Sequence, residues 1–490
     1  MSRRELIDLL RQRARRLGDR PALTAVGPTG DQTVTWGALC RTVEAAAARA
    51  ATEFRTEPRV LLAMDNGLPA MTALLGLAVA GVDIAVFEAA AAPLRDPASA
   101  FHATGARTLL VPGGERPEST AEYRVLACEE LVEPRPPAEL PDPPAGAGVT
   151  ILQATSGSTG EPRLARQPLA NLLRGGVIYR DIYRLTGADT ILAPVPAAHS
   201  FGMVGGLFAT IAAGAHLYTV TRFSPRATRD AIESGATVLL GTPLLYELVA
   251  RTVRPARSAL RVALSSGGPL EAGVADRAGA RLDTGVLQVY GSTETGLIAS
   301  QRPRATPWPA GCVGTPAPGV ELRLSPAADA EPGAELAVRT TTMFRGYLDD
   351  RPVSLDRQGF YATGDVARLD EDGNLHLLRR KESFINVGGR KVNPVRVRRL
   401  LQEHPAVLDS AVYGVEAVGG EEVHAAIVLA DGGQVGPLLE HCRARLADYE
   451  VPHRVHVLPA LPRTGMGKID RGRLPGVRSA GSPAHPGRRP

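Results

Sequence analysis

Apolar runs rich in β-branched residues alternate with stretches of helical periodicity through about residue 300. Arg59–Met64, Val149–Gln153, Thr237–Gly241 and Arg261–Ser265 are such runs. Each ends in small or polar residues and leads into a helical pattern, the alternation expected of α/β architecture with largely parallel sheets. From about Gly311 to Leu378 the rhythm changes. Short alternating runs such as Val320–Leu324 and Glu335–Arg339 are separated by Pro/Gly turns, which predicts antiparallel strands. After a boundary near Arg379–Glu382 the pattern predicts a compact α+β stretch. It comprises helix Asn393–His404, strands Val407–Val415 and Glu422–Leu429, and helix Val435–Leu446. The expected fold class is therefore α/β: a large N-terminal domain of mixed and parallel sheets flanked by helices, with a β-rich subdomain, then a small α+β domain. The expected division is residues 1–379, residues 380–475, and a disordered tail over residues 476–490, rich in Pro, Gly, Ser and Arg.

Two segments carry targeting or membrane questions. Met1–Arg20 predicts an amphipathic helix with Leu6, Leu9 and Leu10 on one side, and it lacks the apolar centre of a signal peptide. Met71–Ala89 is apolar but holds Gly76, Gly81 and Asp83, so a buried helix followed by a strand explains it better than a membrane span. The Pro-rich stretch Glu133–Gly146 is expected to be a surface connection.

Composition narrows the functional classes. The 490 residues are 44% hydrophobic and 22% charged, ordinary for a globular chain long enough to bury a sizeable core. A net charge of +5 permits an acidic partner, but no basic tract is interleaved with aromatics, so nucleic acid is not implied. Cys40, Cys128, Cys312 and Cys442 lie far apart, which suggests neither a zinc site nor a disulfide framework and fits a cytoplasmic protein. Of the 56 basic residues only Lys381, Lys391 and Lys468 are lysines. Arg and Lys differ in geometry and hydration, so a chain that otherwise writes Arg is expected to keep Lys where a compact ammonium matters.

The candidate chemistry sits in five segments. Thr155-Ser156-Gly157-Ser158-Thr159-Gly160-Glu161-Pro162-Arg163 follows a predicted strand and could wrap a phosphate with N–H and O–H donors. It is not the Walker pattern, and a generic Ser/Gly loop would have the same composition. In Gln288-Val289-Tyr290-Gly291-Ser292-Thr293-Glu294-Thr295-Gly296, Tyr290 could stack on a base. Glu294 could hold a magnesium ion bridging phosphates, and a plain polar turn fits equally well. Tyr361-Ala362-Thr363-Gly364-Asp365-Val366 offers a carboxylate suited to ribose hydroxyls, or a simple Gly-Asp turn. Arg379–Pro394 contains Gly388-Gly389, and Leu461–Arg471 puts Lys468 on a Gly-flanked loop.

In this order and spacing the five segments resemble the adenylate-forming superfamily of acyl-CoA synthetases, aryl-acid ligases, luciferases and peptide-synthetase adenylation domains, over about residues 20 to 473. The resemblance implies a mobile C-terminal lid, an active site between the two domains, and ATP- and Mg2+-dependent conversion of a carboxylic acid to its acyl-adenylate. Acyl transfer follows, to coenzyme A or to the phosphopantetheine of a carrier protein; another nucleophile is an alternative. The family's roles carry over residue by residue. Thr155, Ser156, Gly157, Ser158, Thr159, Gly160 and Arg163 match the β,γ-phosphate loop, with Arg163 where the family usually has Lys. Ser266 with Gly267, Gly268 and Pro269 matches the segment along the adenine, and Tyr290, Gly291 and Ser292 the base-stacking turn. Thr293 matches the α-phosphate contact and Glu294 the magnesium ligand. Asp365 and Arg380 match ribose contacts, Glu382 the hinge, Gly388 and Gly389 the pantetheine passage, and Lys468 the catalytic lysine.

Two further expectations concern specificity. Pro194–Met203 resembles the segment opening the acyl pocket, with His199, Ser200, Phe201, Gly202 and Met203 as candidate lining. Gly202, Gly205 and Gly206 are expected to leave room there. Ser200 stands where amino-acid adenylation domains usually place Asp, so an α-ammonium would be buried unpaired, and an aryl or medium aliphatic acid is favoured. Arg390, Lys391, Arg396, Arg398 and Arg399 form a basic face that could be a solvated surface or a docking site for an acidic carrier protein.

Overall fold

The computed structural model describes residues 3–27, 30–57, 59–91, 94, 99–114, 122–133, 148–155, 163–221, 224–252, 258–304, 306–326, 333–349, 353–380, 385–387, 390–417, 420–465 and 467–477. Residues 134–146 of the Pro-rich stretch and residues 478–490 of the tail thus lie outside the described residues. The chain forms two compact units. The first runs to Leu378, and the second runs from Arg379 on and includes Gly364–Val366.

The first unit is built on two sheets. A six-stranded sheet takes the order Arg124–Ala127, Thr108–Val111, Val60–Met64, Ile84–Glu88, Thr150–Thr155, Arg163–Pro168, parallel except for its last strand. A thirteen-stranded sheet has a parallel stretch: Pro21–Gly27, His216–Val220, Thr190–Ala193, Val238–Gly241, Val262–Ser265 and Val286–Ser292. It continues into antiparallel strands Gly296–Ser300, Cys312–Pro316 and Leu375–Arg380, then Tyr361–Leu369, and ends with the antiparallel pair Ala334–Thr340 and Val320–Pro326; antiparallel Gly30–Thr35 forms the other edge beside Pro21–Gly27.

The predicted apolar runs are continuous because these strands are covered on both faces. Along Val60–Met64, Val60, Leu62 and Met64 face one hydrophobic core and Leu61 and Ala63 another. Val238 and Leu240 likewise separate from Leu239. Both sheets contribute to the larger core, together with helices Leu68–Ala80 and Leu169–Tyr183. Helix Leu68–Ala80 is apolar all round and buried from Ala70 to Val79, and it ends at Gly81 in the left-handed conformation (φ 92°). Such a helix is interior by composition. No helix among the described residues is long and apolar enough to cross a membrane. The N-terminal helix Arg3–Leu17 buries Leu6, Ile7 and Leu10, with Leu9 partly buried beside them.

In the second unit, strands Val407–Ala417, Gly420–Leu429 and Arg454–Val457 form one sheet. Helices Pro394–Glu403 and Val435–Arg443 pack on it through Val397, Leu401, Leu438 and Cys442. Asn393 starts the first helix by accepting from the amides of Val395 (2.9 Å) and Arg396 (3.3 Å), with Pro394 in the first turn where its missing donor costs nothing. A short hairpin, Ile385–Val387 with Arg390–Val392, precedes it.

Candidate active site

In open parallel sheets ligands bind beyond the carboxyl ends of the strands. In the first unit the candidate Thr155 occupies such an end, closing Thr150–Thr155, and so do Glu88, which closes Ile84–Glu88, and Ser265, which closes Val262–Ser265. Thr155 is buried and stands in register with Arg163 on the antiparallel return strand. Ser156, Gly157, Ser158, Thr159 and Gly160 lie between them, outside the described residues, as do Glu382, Gly388 and Gly389.

The two sheets meet chemically at Gln153, whose amide nitrogen donates to the Ala198 carbonyl at 2.9 Å. Its oxygen accepts from the Ser200 hydroxyl at 3.0 Å, and Ser200 Oγ lies 3.4 Å from Thr293 Oγ1. Asn66 secures the same segment: its oxygen accepts from the Ala197 amide at 2.8 Å, and its nitrogen donates to the carbonyls of Val195 and Val220, both at 3.1 Å. Sequence reasoning missed both amides. A single Asn or Gln at a strand end is a weak signal, and their partners lie up to 154 residues away. His199 Nε2 lies 3.3 Å from Glu88 Oε2.

Phe201–Phe208 forms a π-helix, an uncommon element that recurs at functional sites. Two of its glycines sit against close neighbours, and Gly206 is less crowded, with Ala193 3.5 Å from its missing Cβ. A Cβ on Gly202 would lie 2.3 Å from the Pro196 carbonyl oxygen, and one on Gly205 would meet Leu240 at 3.0 Å and Tyr179 at 3.2 Å. The expectation that Gly202 and Gly205 leave room for an acyl group is corrected: they permit close packing of the helix against its neighbours. Met203 is fully buried and Phe201 nearly so.

Tyr290 is half-buried against a hydrophobic cluster that includes Ile298, Ala299 and Val313. Gly291 sits where a Cβ would be 2.2 Å from the Gly296 carbonyl oxygen, so this hairpin admits only glycine. Ser292 Oγ pairs with Thr295 Oγ1 at 3.1 Å, and the Thr293 carbonyl accepts from Gln167. Glu294 is 8% exposed and its Oε1 accepts from the Tyr347 hydroxyl at 2.8 Å. Burial first, and the Glu294 charge second, push the Tyr347 phenol well above its ordinary pKa, so it remains a donor. Arg163 does not project alone: it grips Asp349 through Nε at 3.1 Å and Nη2 at 2.6 Å, and its guanidinium lies 3.6 Å above the Tyr347 ring. Tyr347 and Asp349 were also missed, although Gly346 with flanking Tyr and Asp was a visible cue.

Gly267 takes φ 93° and Gly268 has only Pro243 near its missing Cβ, at 3.8 Å. Two residues before Gly267 the Ser265 hydroxyl is buried and has no hydrogen-bond partner among the described residues. Pro269 follows in the same turn. Asp365 and Arg380 pair with each other, Nε to Oδ1, at 3.0 Å.

In the second unit Lys468 is exposed on a tight turn. The Lys468 carbonyl accepts from the Thr464 amide at 2.7 Å, and the Gly467 amide donates to Thr464 at 2.8 Å. Arg463 braces this turn from within, donating to the Gly467 carbonyl at 2.7 Å and to Asp409 at 2.5 Å. Of the basic face, the side chains of Arg390 and Lys391 lie outside the described ones, and two of the remaining three arginines have acidic neighbours. Arg396 grips the buried Glu450 at 2.8 and 3.1 Å, and Arg399 lies 3.6 Å from Glu403.

A buried carboxylate, clustered hydroxyls and glycine turns at parallel strand ends define a nucleotide-binding α/β enzyme with a separate C-terminal unit. The sequence matches the AMP-binding enzyme family over residues 10–348 and the AMP-binding enzyme C-terminal domain over residues 399–468. The chain belongs to the AMP-binding enzyme family.

Named relatives agree with that placement. A probable CoA ligase, CCL9, of Humulus lupulus is 30% identical over 353 residues, covering 68% of this chain and 66% of the relative's length. A feruloyl-CoA synthase of Amycolatopsis sp is 32% identical over 385 residues, covering 73% of this chain and 77% of the relative. The structure of O-succinylbenzoate coenzyme A synthetase from Bacillus subtilis, in complex with ATP and magnesium ion, superposes with TM-score 0.81 at 25% identity. It covers 95% of this chain and 98% of that one.

Proposed function

We propose that this protein activates a carboxylic acid with ATP, releasing pyrophosphate, and passes the acyl group of the resulting acyl-adenylate to the thiol of coenzyme A. The observation that carries the reading is Ser200. Its hydroxyl touches both Gln153 and Thr293, joining the segment assigned to the acid to the segment assigned to the phosphates. An acid carboxylate that attacks an α-phosphate must lie at such a junction, within about 3–3.5 Å of the reacting phosphorus.

On this reading Thr155 and the loop 156–160 hold the β,γ-phosphates, and Thr293 contacts the α-phosphate. Tyr290, with Gly291 and Ser292, lies against the base. Gly267, Gly268 and Pro269 run along its edge, with the buried Ser265 hydroxyl close by in sequence. Asp365, oriented by Arg380, holds ribose hydroxyls. The donor set suits magnesium: Glu294 is one hard, buried carboxylate, and this ion commonly takes one or two carboxylates together with substrate phosphates. When bound, magnesium would neutralise phosphate charge and orient the oxygens. Lys468 supplies a further cation for the charge that builds on the α-phosphorus oxygens. Residues 380–475 act as the lid, with Glu382 at its hinge, and Gly388 and Gly389 admit the pantetheine arm.

His199, Ser200, Phe201 and Met203 border the acid, and an aryl or medium aliphatic acid is favoured. The feruloyl-CoA synthase relative, by its name, forms the thioester of an aryl acid, which supports that preference. The test is pyrophosphate release across a panel of carboxylic acids, with and without coenzyme A, with mass spectrometry of the products. Acid-dependent pyrophosphate release and an acyl-CoA product are expected. Adenylate that turns over only on a holo-carrier protein, or on neither thiol, would overturn the coenzyme A assignment.

A further inference from the structure

We propose that Tyr347 is a positioning residue for Glu294, and that Arg163 and Asp349 brace it, so that Arg163 acts through the Tyr347 ring and not by gripping phosphate. This rests on the reading of Glu294 as the residue that meets the divalent cation. A carboxylate 8% exposed needs a fixed donor to hold one plane, and the Tyr347 hydroxyl supplies it at 2.8 Å.

Tyr347 is itself held from several sides. Its backbone segment runs beside the strand Arg163–Pro168. Arg345 N donates to the Arg166 carbonyl at 2.8 Å, Arg166 N to the Gly346 carbonyl at 2.9 Å, and Leu348 N to the Leu164 carbonyl at 2.8 Å. The Phe344 amide donates to the Glu294 carbonyl at 2.8 Å, tying the same segment to Glu294. Phe344 sets its ring edge-on to Tyr347, with centroids 5.0 Å apart at 74°. Arg163 lies over a face of the Tyr347 ring, 3.6 Å from its centroid. A guanidinium can present a fork to one carboxylate and a flat face to a ring at the same time, which an ammonium cannot. Asp349, two residues beyond Tyr347, takes that fork. The arginine standing where the family usually has lysine is thus the middle of a chain running from Asp349 through Arg163 and Tyr347 to Glu294.

The experiment measures Mn2+ binding to the whole chain by electron paramagnetic resonance, with a non-hydrolysable ATP analogue present. Analogue affinity in chelator and the thermal midpoint are measured in parallel. Tyr347→Phe keeps the stacked ring and removes the hydroxyl. It is expected to weaken Mn2+ binding by about 10–100-fold, the usual cost of losing a group that orients a metal ligand, without changing metal-free analogue binding. Arg163→Lys keeps the charge but loses the fork and the flat face. It should weaken Mn2+ in the same sense, and it keeps the test valid if Tyr347→Phe lowers the thermal midpoint. Glu294→Gln separates the two ideas. Weak Mn2+ binding in Glu294→Gln with wild-type binding in Tyr347→Phe overturns the positioning role and leaves the cation reading standing. Wild-type Mn2+ binding in all three variants removes the cation reading and this proposal with it. If Arg163→Lys weakens metal-free analogue binding and spares Mn2+, Arg163 is a phosphate contact and the brace is refuted.

Discussion

Replacing Gly202 with alanine tests whether the π-helix glycines serve packing or pocket volume. The new Cβ would lie 2.3 Å from the Pro196 carbonyl oxygen, 2.9 Å from its carbon and 3.2 Å from the Ala197 Cα. A relaxed carbon–oxygen contact is roughly 3.3 Å, so something must move by about 1 Å. Every atom met is backbone, and that backbone is pinned by Asn66 through Val195 and Ala197. Overpacking of this kind costs about 1–3 kcal/mol. The displaced segment carries His199 and Ser200, so the Ser200–Thr293 contact should loosen. A 1 Å misplacement near reacting groups can cost on the order of 10²-fold in rate. Gly206→Ala is the control, because its Cβ would make only ordinary contacts, 3.5 Å to Ala193 and 3.8 Å to Leu217. Urea midpoints and acid-dependent pyrophosphate release should both fall for Gly202→Ala and hold for Gly206→Ala. An unchanged midpoint for Gly202→Ala, together with a switch toward shorter acids, would refute the packing argument and restore the pocket one.

Three other outcomes follow from the same geometry. Lys468→Ala should lose about 3 kcal/mol of transition-state stabilisation in adenylation while thiolation of pre-made acyl-adenylate survives; wild-type adenylation would remove Lys468 from the chemistry. Arg396→Glu should destabilise the C-terminal unit by about 1–3 kcal/mol, a figure discounted because the arginine is half-exposed, by setting two carboxylates against each other at Glu450. Slowed acyl transfer to a carrier protein at unchanged stability would instead mark the helix as a docking surface. Burial opposes ionisation of Asp189, but Arg261, the Thr186 amide and Thr237 outweigh it and hold the carboxyl below its ordinary range. Its stabilising contribution is therefore full above the unfolded value near 3.9 and is lost as pH falls through the lower folded value. Asp189→Asn should flatten that acid limb in pH-dependent urea midpoints, and an unaltered limb would contradict the assignment.

Much of this architecture is legible because parallel strands buried on both faces write themselves as solid apolar runs. Val238–Gly241 and Val262–Ser265 lie within one residue of the runs that predict them. The helix Leu68–Ala80 is equally plain, since a segment apolar on every side has nowhere to go but inside. The motifs stand out for a local reason: hydroxyls and glycines cluster at strand ends. What organises those motifs is not local. Arg163 and Asp349 are 186 residues apart, and Asn66 reaches Val195 across 129. No periodicity encodes such contacts. The sense of Gly202 and Gly205 is hidden from the sequence for a related cause, because whether a missing Cβ leaves space or admits a neighbour depends on what lies opposite.

The lysine shortage carries a second lesson about substitution by charge. Arg163 keeps the positive charge of the residue it replaces, but the charge is answered by Asp349 and the flat face is spent on Tyr347. Equal charge has therefore come with different work, because five fixed donors and a planar face require matching partners that an ammonium does not. The same division recurs within one turn of the C-terminal unit. Arg463 does the bracing, bonded to Gly467 and Asp409, while the neighbouring exposed position keeps its lysine. Arginine is used where geometry is to be fixed. On the proposed reading, lysine remains at Lys468 because a compact cation on a flexible stem suits charge that develops only in the transition state.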